Sequence, residues 1–570
     1  MKRFTLIISA LFVALTAAAQ VTREVEVVKE YIPKLPPARK LDMATDKQDT
    51  VNIRPEIDYT ITPNSFASAL TTSKVRPATV TYWDFDKRYP FYLKAGVGYP
   101  LVTELDVYAS TNRADVGYLS GYVNHRGRFS NIKDSYTLGG QTFDYNNDSR
   151  YMDNRIGFNG GKYIGRYTFD GDIYYQSNLF HRYAQPIAEE QTTPEVNYEN
   201  FAATLKFGDS FSDMSKVNFS VYATADYYND KSNQLVDDRK LQQFSTAVGA
   251  TVGRDIATRT QLMLTLKYNG YYGFKSLDSY SDNIISATAM VNFHTKKKLD
   301  VRAGLTYSYD HLKSVEKSHK HHLFPHLYLG ANLFDNGSFV PYLEVNGELK
   351  NNSYQQLQSI NPYVIYAAES IAGTPNTYSY NFRIGFAGNV LKNRLSYRLY
   401  GDAAIVRNAL YWYAPQPAYF AAEVGNHTVW SINAAVEYKP LSVLYFSLKA
   451  KAMAYSQSKD IYLANHRPSF EGEFNARYTH RKFAVGASAH LVGKTNWSVL
   501  QTPDAEQIAD RFTTVSYPAY VDLSLLFDWF VGKRCTLYVE GRNLANAKMY
   551  HWALYKEYGI GALAGVKVQF

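Results

Sequence analysis

The sequence predicts an all-β protein: a transmembrane antiparallel β-barrel of about 22 strands, preceded by a short, mostly irregular N-terminal segment. Three observations predict it. Alternating apolar and polar residues recur from about residue 86 to the end, the connections between these runs alternate short and long, and the chain closes on a strand with one apolar face. A side-chain period of two is the strand period. In a membrane barrel only every second residue meets lipid, so the apolar signal is diluted by half. A mean hydropathy of −0.33 beside 50 Tyr and 31 Phe fits that dilution.

At the N-terminus, Lys2 and Arg3 precede an apolar run from Phe4 to Leu15, and Ala17-Ala18-Ala19 precedes Gln20. Residues 1–19 therefore read as a secretory signal peptide and are set apart from the fold. No cysteine follows the cleavage site, so lipid anchoring there is not expected. No later apolar segment reaches the length that a transmembrane helix needs. Residues 20–85 hold Pro33, Pro36, Pro37, Pro55, Pro63 and Pro77 among mixed charges, and read as an extended segment that is periplasmic or inserted into the lumen. Within it, Val25, Val27 and Val28 suit one short strand.

The barrel is expected over 86–570. Leu299, Val301, Ala303, Leu305 and Tyr307 alternate with Asp300, Arg302, Gly304, Thr306 and Ser308. Leu444, Phe446, Leu448 and Ala450 alternate with Tyr445, Ser447, Lys449 and Lys451, and Cys535, Leu537 and Val539 with Thr536, Tyr538, Glu540 and Arg542. On the last strand, Ile560, Ala562, Ala564, Val566, Val568 and Phe570 form the apolar face and Lys567 stands on the other. Parity thus makes Tyr445, Lys449, Lys451, Tyr538, Glu540, Arg542 and Lys567 the lumen-facing candidates.

Short connections are expected at Ile164-Gly165-Arg166, Lys392-Asn393-Arg394, Lys439-Pro440, His480-Arg481-Lys482 and Gly532-Lys533-Arg534. Long ones are expected near 131–149, 180–195, 230–237, 273–281, 351–376, 409–425, 457–466, 494–512 and 543–557. A barrel with tight turns at one rim and long loops at the other behaves this way, and termini on one side require an even strand number. The hairpin at Tyr99-Pro100 breaks the rule with a short outer turn. A soluble propeller or sandwich array would also alternate, but would not fix long and short loops on opposite parity.

The stretch Leu537–Tyr550, with Asn543, Leu544, Asn546 and Tyr550, and the final strand ending in Phe570 resemble the C-terminal end of TonB-dependent receptors of bacterial outer membranes. The resemblance implies a Gram-negative outer-membrane location, a barrel near 22 strands, Phe570 as the C-terminal assembly signal read by the barrel assembly machinery, and contact with outer-membrane lipids and lipopolysaccharide. It also implies a plug inside the barrel, for which 20–85 is too short, so the chain looks like a plugless relative. Val25, Val27 and Val28 are similar to a TonB-binding segment, and Asp49-Thr50-Val51 resembles the O-glycosylation site of some Bacteroidota. A lumen of this size is normally filled. Residues 20–85, inward-folded loops at 351–376 and 494–512, a separate plug protein or a surface lipoprotein are the expected fillers and partners.

The single cysteine, Cys535, excludes an intramolecular disulfide and reads as a small lipid-facing residue. A net charge of +9 on an exported barrel suits anionic headgroups or a charged lumen rather than nucleic acid. Ser318-His319-Lys320-His321-His322 reads as an outer loop leading into a strand, with His319 and His321 on one face as the candidate metal pair. No catalytic motif occurs in a suitable context, so neither enzymatic activity nor a cofactor is expected. The sequence therefore points to transport or pore formation across the outer membrane, with a structural scaffold barrel as the alternative.

Overall fold

The computed structural model describes residues 89–113, 116–187, 192–232, 240–294, 298–314, 317–334, 336–365 and 374–570. The signal peptide, residues 20–85, the valines at 25, 27 and 28 and Thr50 lie outside them. No helix among the described residues is long and apolar enough to cross a membrane.

The chain opens with β1 (Phe91–Tyr99), β2 (Val102–Arg113) and β3 (Gly117–Arg128). A separate hairpin, β4 (Asn131–Leu138) and β5 (Gln141–Asp148), follows. Next come β6 (Tyr151–Ile164), β7 (Tyr167–His181), β8 (Glu195–Asp209), β9 (Asn218–Asp230), β10 (Leu241–Ala257), β11 (Thr260–Lys275), β12 (Ser281–His294), β13 (Leu299–Lys313), β14 (Lys317–Ala331) and β15 (Val340–Lys350). A short helix, α1 (Tyr354–Ile360), precedes β16 (Thr377–Val390), β17 (Leu395–Gln416), β18 (Tyr419–Leu441), β19 (Leu444–Gln457), β20 (Phe470–Thr479) and β21 (Phe483–Val492). A second hairpin, β22 (Thr495–Leu500) and β23 (Phe512–Tyr517), then β24 (Tyr520–Phe530), β25 (Cys535–Arg542), a small hairpin of β26 (Tyr550–Trp552) and β27 (Tyr555–Lys556), and β28 (Gly561–Gln569) complete it.

Leaving out the three hairpins β4–β5, β22–β23 and β26–β27, the strands form one closed, 22-stranded antiparallel barrel. Each wall strand pairs with its neighbour in the chain, and the hairpins are skipped by β3–β6, β21–β24 and β25–β28 ladders. Closure is made by β1 and β28, in register from Tyr92↔Gln569 to Tyr99↔Ala562. Phe91 and Phe570 exchange both backbone hydrogen bonds at 3.0 and 3.1 Å, and their rings meet at 4.7 Å. A closed wall leaves no edge, which lipid would not tolerate.

Both ends of the wall sit at one rim, and long connections gather at the other. In outer-membrane barrels the long-loop rim is the outer one. The wall itself obeys the expected parity: Leu264, Leu305, Leu448, Leu537 and Val539 stand exposed on the outside, while Tyr538 and Asp528 are buried within.

Four expectations are corrected. Residues 409–425 are not a loop, because β17 and β18 run on as a continuous hairpin beyond the rim. Their Ala, Tyr and Trp residues leave lipid there and pack on other connections, so alternation lapses without ending the strands. Lys439-Pro440 lies within β18, and the turn falls at Ser442-Val443, where Pro440 sits beside a register shift that spares its missing N–H. The segments 131–149 and 543–557 contain hairpins of their own, and 494–512 begins one that ends at Tyr517. The histidine run 318–322 lies inside β14 rather than in a loop.

Candidate functional site: the capped outer mouth and the lumen

Most of the long connections share one hydrophobic core, and Leu463 after β19 packs in a smaller one with Ala409 and Tyr411. The shared core joins Ile132 and Tyr145 from β4–β5, Tyr183 and Ala184 after β7, Leu277 after β11, Leu357 of α1, Trp412 and Phe420 of the β17–β18 extension, Trp497 of β22, and Leu554 and Tyr555 near the chain end. These segments leave the wall at separate points around its rim. They can bury their side chains against one another only by leaning over the mouth, and together they form a cap.

The contacts bear this out in detail. The Tyr363 and Tyr555 rings stack at 3.8 Å, and Trp552 packs against Trp497 at 5.5 Å and Phe420 at 5.5 Å. The Tyr555 hydroxyl donates to the Ala418 carbonyl at 2.7 Å, and Tyr183 to that of Lys556 at 3.0 Å. Burial pushes both phenols well above the ordinary 10, so they remain neutral donors. Ile365 N–H donates to Phe420 O at 2.9 Å, and Phe420 N–H to Tyr363 O at 3.2 Å.

Arg182 is the polar centre of the cap. Its side chain is fully buried, it donates to the Tyr363 carbonyl at 2.6 Å, and its guanidinium lies 4.6 Å from the Tyr419 ring centre. A buried cation held by carbonyl oxygens and an aromatic face ties three connections together, because each partner belongs to a different one. A second cation, Arg467, donates to the Leu410 carbonyl at 2.8 Å, and the neighbouring His466 ring packs on Trp497 at 5.0 Å. Burial first, then the charge of Arg467, holds His466 well below its ordinary 6.5.

The connection between β15 and β16 reaches across to β9 and β10. Gln355 donates to Asp226 of β9 at 2.9 Å, and Gln243 of β10 donates to Ser353 at 3.1 Å. Five strands separate β9 from β15 in the wall, so this bridge crosses the inside of the mouth. The loop at 351–376, a sequence-based candidate for filling the lumen, folds inward over 351–365, and its described residues also include 374–376. Asn351 and Asn376 anchor its two ends on the Asp282 carboxylate at 2.6 and 2.7 Å.

Below the cap the lumen wall is polar and ion-paired. Tyr538 donates to Glu104 at 3.2 Å, Lys94 pairs with Glu104 at 2.7 Å, and Lys567 with Asp528 at 2.8 Å. Glu540 pairs with Arg542 at 2.6 Å and Lys449 with Glu473 at 3.1 Å. Tyr445 lies under Lys439 at 5.3 Å, and Lys451 stands in register with Asn433 and Glu471. Sequence parity missed a feature of this surface: inward tyrosines lie over directly opposed glycines. Tyr538 covers Gly565, Tyr122 covers Gly157 and Tyr222 covers Gly249, and an added Cβ would approach the ring to 2.7, 2.4 and 2.3 Å. A cross-strand Tyr–Gly pattern in the sequence is the signal that could have found them.

His319 and His321 lie on the exposed face of β14. His319 Nδ1 is 2.8 Å from His311 Nδ1 and 2.8 Å from the Tyr309 hydroxyl, and His321 meets the Tyr307 hydroxyl at 2.7 Å. Among the described residues no group of three or more His, Cys, Asp or Glu side chains could hold a metal ion.

No family profile matches the chain, and no curated protein sequence matches it either. Solved structures do. The FrpB iron transporter from Neisseria meningitidis superposes with a TM-score of 0.63 at 14% identity, over 85% of this chain and 82% of that one. The ferripyoverdine receptor of the Pseudomonas aeruginosa outer membrane gives 0.63 at 9%, over 85% and 72%. The siderophore receptor PirA from Acinetobacter baumannii gives 0.65 at 11%, over 84% and 80%. The fold is that of an outer-membrane receptor barrel. At such identities the likeness carries the architecture and not the ligand. A receptor-type barrel with an apolar outer face belongs in the outer membrane of a Gram-negative bacterium.

Proposed function

We propose that this receptor-type barrel is a gated transporter, in which the cap closes the outer mouth and the ion-paired lumen wall contacts whatever passes. The observation that carries the reading is the core shared by most of the long connections of the rim, above a polar interior. A permanently inert barrel needs no polar lumen, and an open pore needs no cap. Transport of the kind named for the FrpB iron transporter supports the class and leaves the cargo of this chain open. Residues 20–85 serve in this reading as a periplasmic or lumen-inserted segment, with Val25, Val27 and Val28 as the stretch that engages an energising partner.

Planar-bilayer conductance tests it. The intact protein is expected to carry little current. Arg182→Ser combined with deletion of residues 21–80 is expected to give a large, steady one. A current that stays absent in the combined variant, with the barrel still resistant to unfolding in detergent, overturns the transport reading. The burial of Arg182 favours a second reading, a scaffold for an outer-membrane complex with a surface lipoprotein or separate plug protein, since so tightly tied a cap opens at high cost. Co-purification of such a partner with a silent barrel distinguishes it.

A further inference from the structure

Among the described residues, the wall's shortest ladder is the one between β14 and β15, which leaves a seam. β14 is in register with β13 over its whole length, and β15 with β16 over Val340–Lys350. Between β14 and β15 only Leu327–Gly330 and Tyr342–Val345 pair, at the inner end. Above that point Lys317–His326 and Asn346–Lys350 form no ladder with each other. Continuing the register would set Pro325 opposite Gly347 and Leu323 opposite Leu349. Proline offers no N–H to a ladder, so pairing ends close to where the sequence removes a donor.

Aromatic side chains occupy the place of the missing hydrogen bonds. Phe324 is buried, and its ring lies where a Cβ on Gly347 would come within 2.5 Å of it. Phe324 meets Tyr380 of β16 at 5.6 Å and His322 meets Tyr378 at 4.7 Å. The Tyr380 hydroxyl reaches past β15 to donate to the Leu323 carbonyl at 3.3 Å. On the outer surface, Leu323 beside the seam and Phe382 and Ile384 of β16 are exposed in the apolar band. On the inner side, Phe324, Gly347 and Leu349 line a cavity of about 410 Å³ whose other walls include Met290, His326 and Lys267. The same few side chains thus separate lipid from an interior cavity. A backbone ladder cannot be pushed aside at modest cost, whereas side-chain rotamers move readily.

We propose that the β14–β15 seam is a lateral portal, and that the cavity behind it binds a single-chain anionic amphiphile drawn from the outer leaflet. The acyl chain lies through the seam past Phe324, and the headgroup faces the cavity. The side chains filling the seam, Phe324 and Leu323 with Tyr380 behind them, are apolar or aromatic, which suits a hydrocarbon chain. The head is anionic because Glu348, the acidic residue lining the cavity, is paired with Lys350 at 2.9 Å, leaving Lys267 as the cavity's cation. This inference does not depend on the transport reading.

The test uses the full chain with Cys535→Ser, Leu323→Cys and Leu349→Cys, reconstituted in phosphatidylcholine vesicles. The probe is a long-chain fatty acid carrying a photoactivatable diazirine. Mass spectrometry is expected to place label on Phe324, His326 and Met290 at least fivefold above the outward residues Leu264 and Leu266. Joining the two new cysteines with a short bis-methanethiosulfonate spacer is expected to remove that excess, and reductant to restore it in the same sample. The methyl ester of the probe, or Lys267→Gln with the free acid, is expected to lower cavity labelling severalfold. Label spread evenly over outward residues, or cavity label that persists with the seam joined, overturns the proposal. Joined and released protein share one preparation, so misfolding cannot mimic the expected result.

Discussion

Trp497 and Leu537 are both large apolar residues on strands, yet the first is 3% exposed and the second 41%. Trp497 belongs to the cap, which is built like a soluble protein, with aromatic side chains buried against one another above the rim. Leu537 belongs to the wall, which is built inside out, with its apolar residues turned to lipid and its close packing made by tyrosines on glycines. Burial from water stabilises the first region. Hydrogen-bond closure in a solvent that offers no alternative partners stabilises the second. One chain therefore carries two regions that respond to opposite changes, and variants can separate them.

The largest effect is expected from Phe420→Ala, which opens a cavity at the meeting point of Trp497, Trp552 and Tyr555. A loss of about 3–5 kcal/mol of cap stability is expected. Hydrogen exchange should rise across 409–425 and 495–500 while β10 and β11 stay protected. Equal loss of protection in both regions would show that they are one cooperative unit. Val539→Lys puts a charge on the lipid face of β25 and is expected to cost about 2–4 kcal/mol. Urea unfolding from vesicles should report it, with exchange in the cap unchanged. Gly565→Val places side-chain atoms against the Ala95 carbonyl, 2.1 Å from the added Cβ, and under the Tyr538 ring. About 1–3 kcal/mol of destabilisation, seen as a lower temperature for loss of the compact band in gel migration, is expected. Gly337→Val, at a turn with nothing within 4 Å of the added Cβ, has backbone strain but no steric clash and serves as its comparison.

The smallest effect is a pH dependence confined to the cap. His466 is held neutral in the folded cap, beside Trp497, Tyr411, Arg467 and His427. Its folded value lies below 6.5, so on opening it takes up a proton as pH falls past 6.5. Cap stability is thus full above that pH and declines below it. His466→Phe should flatten the decline, and exchange in 458–469 measured between pH 5 and 8 checks it.

The wall was legible because lipid enforces parity: Leu305, Leu448 and Leu537 each alternate with polar neighbours and stand exposed on the outside. The closing strand, the strand number and the two classes of connection follow from that rule. The cap was not legible, because nothing periodic marks a segment that packs against other connections. Residues 409–425 look like a loop where Ala, Tyr and Trp run together, yet they are extended strand packed against the cap. Arg182 carries no sequence signal, because its partners Tyr363, Ala418 and Tyr419 come from distant connections. His319–His322 reads as a polar loop because histidines and a lysine interrupt the apolar face, although β14 continues through them. Pro325 and Gly347 carry a signal on the page of the sequence, but its meaning depends on their facing each other across twenty-two positions.

The pairing of β1 with β28 joins the first strand of the wall to the last. During synthesis the strand at Phe91–Tyr99 is made early and its partner last, so an unsealed edge must be kept waiting through the assembly of every strand between. Without Gly561–Gln569 the facing edges of β1 and β25 would be left unpaired, which the hydrocarbon layer does not accommodate.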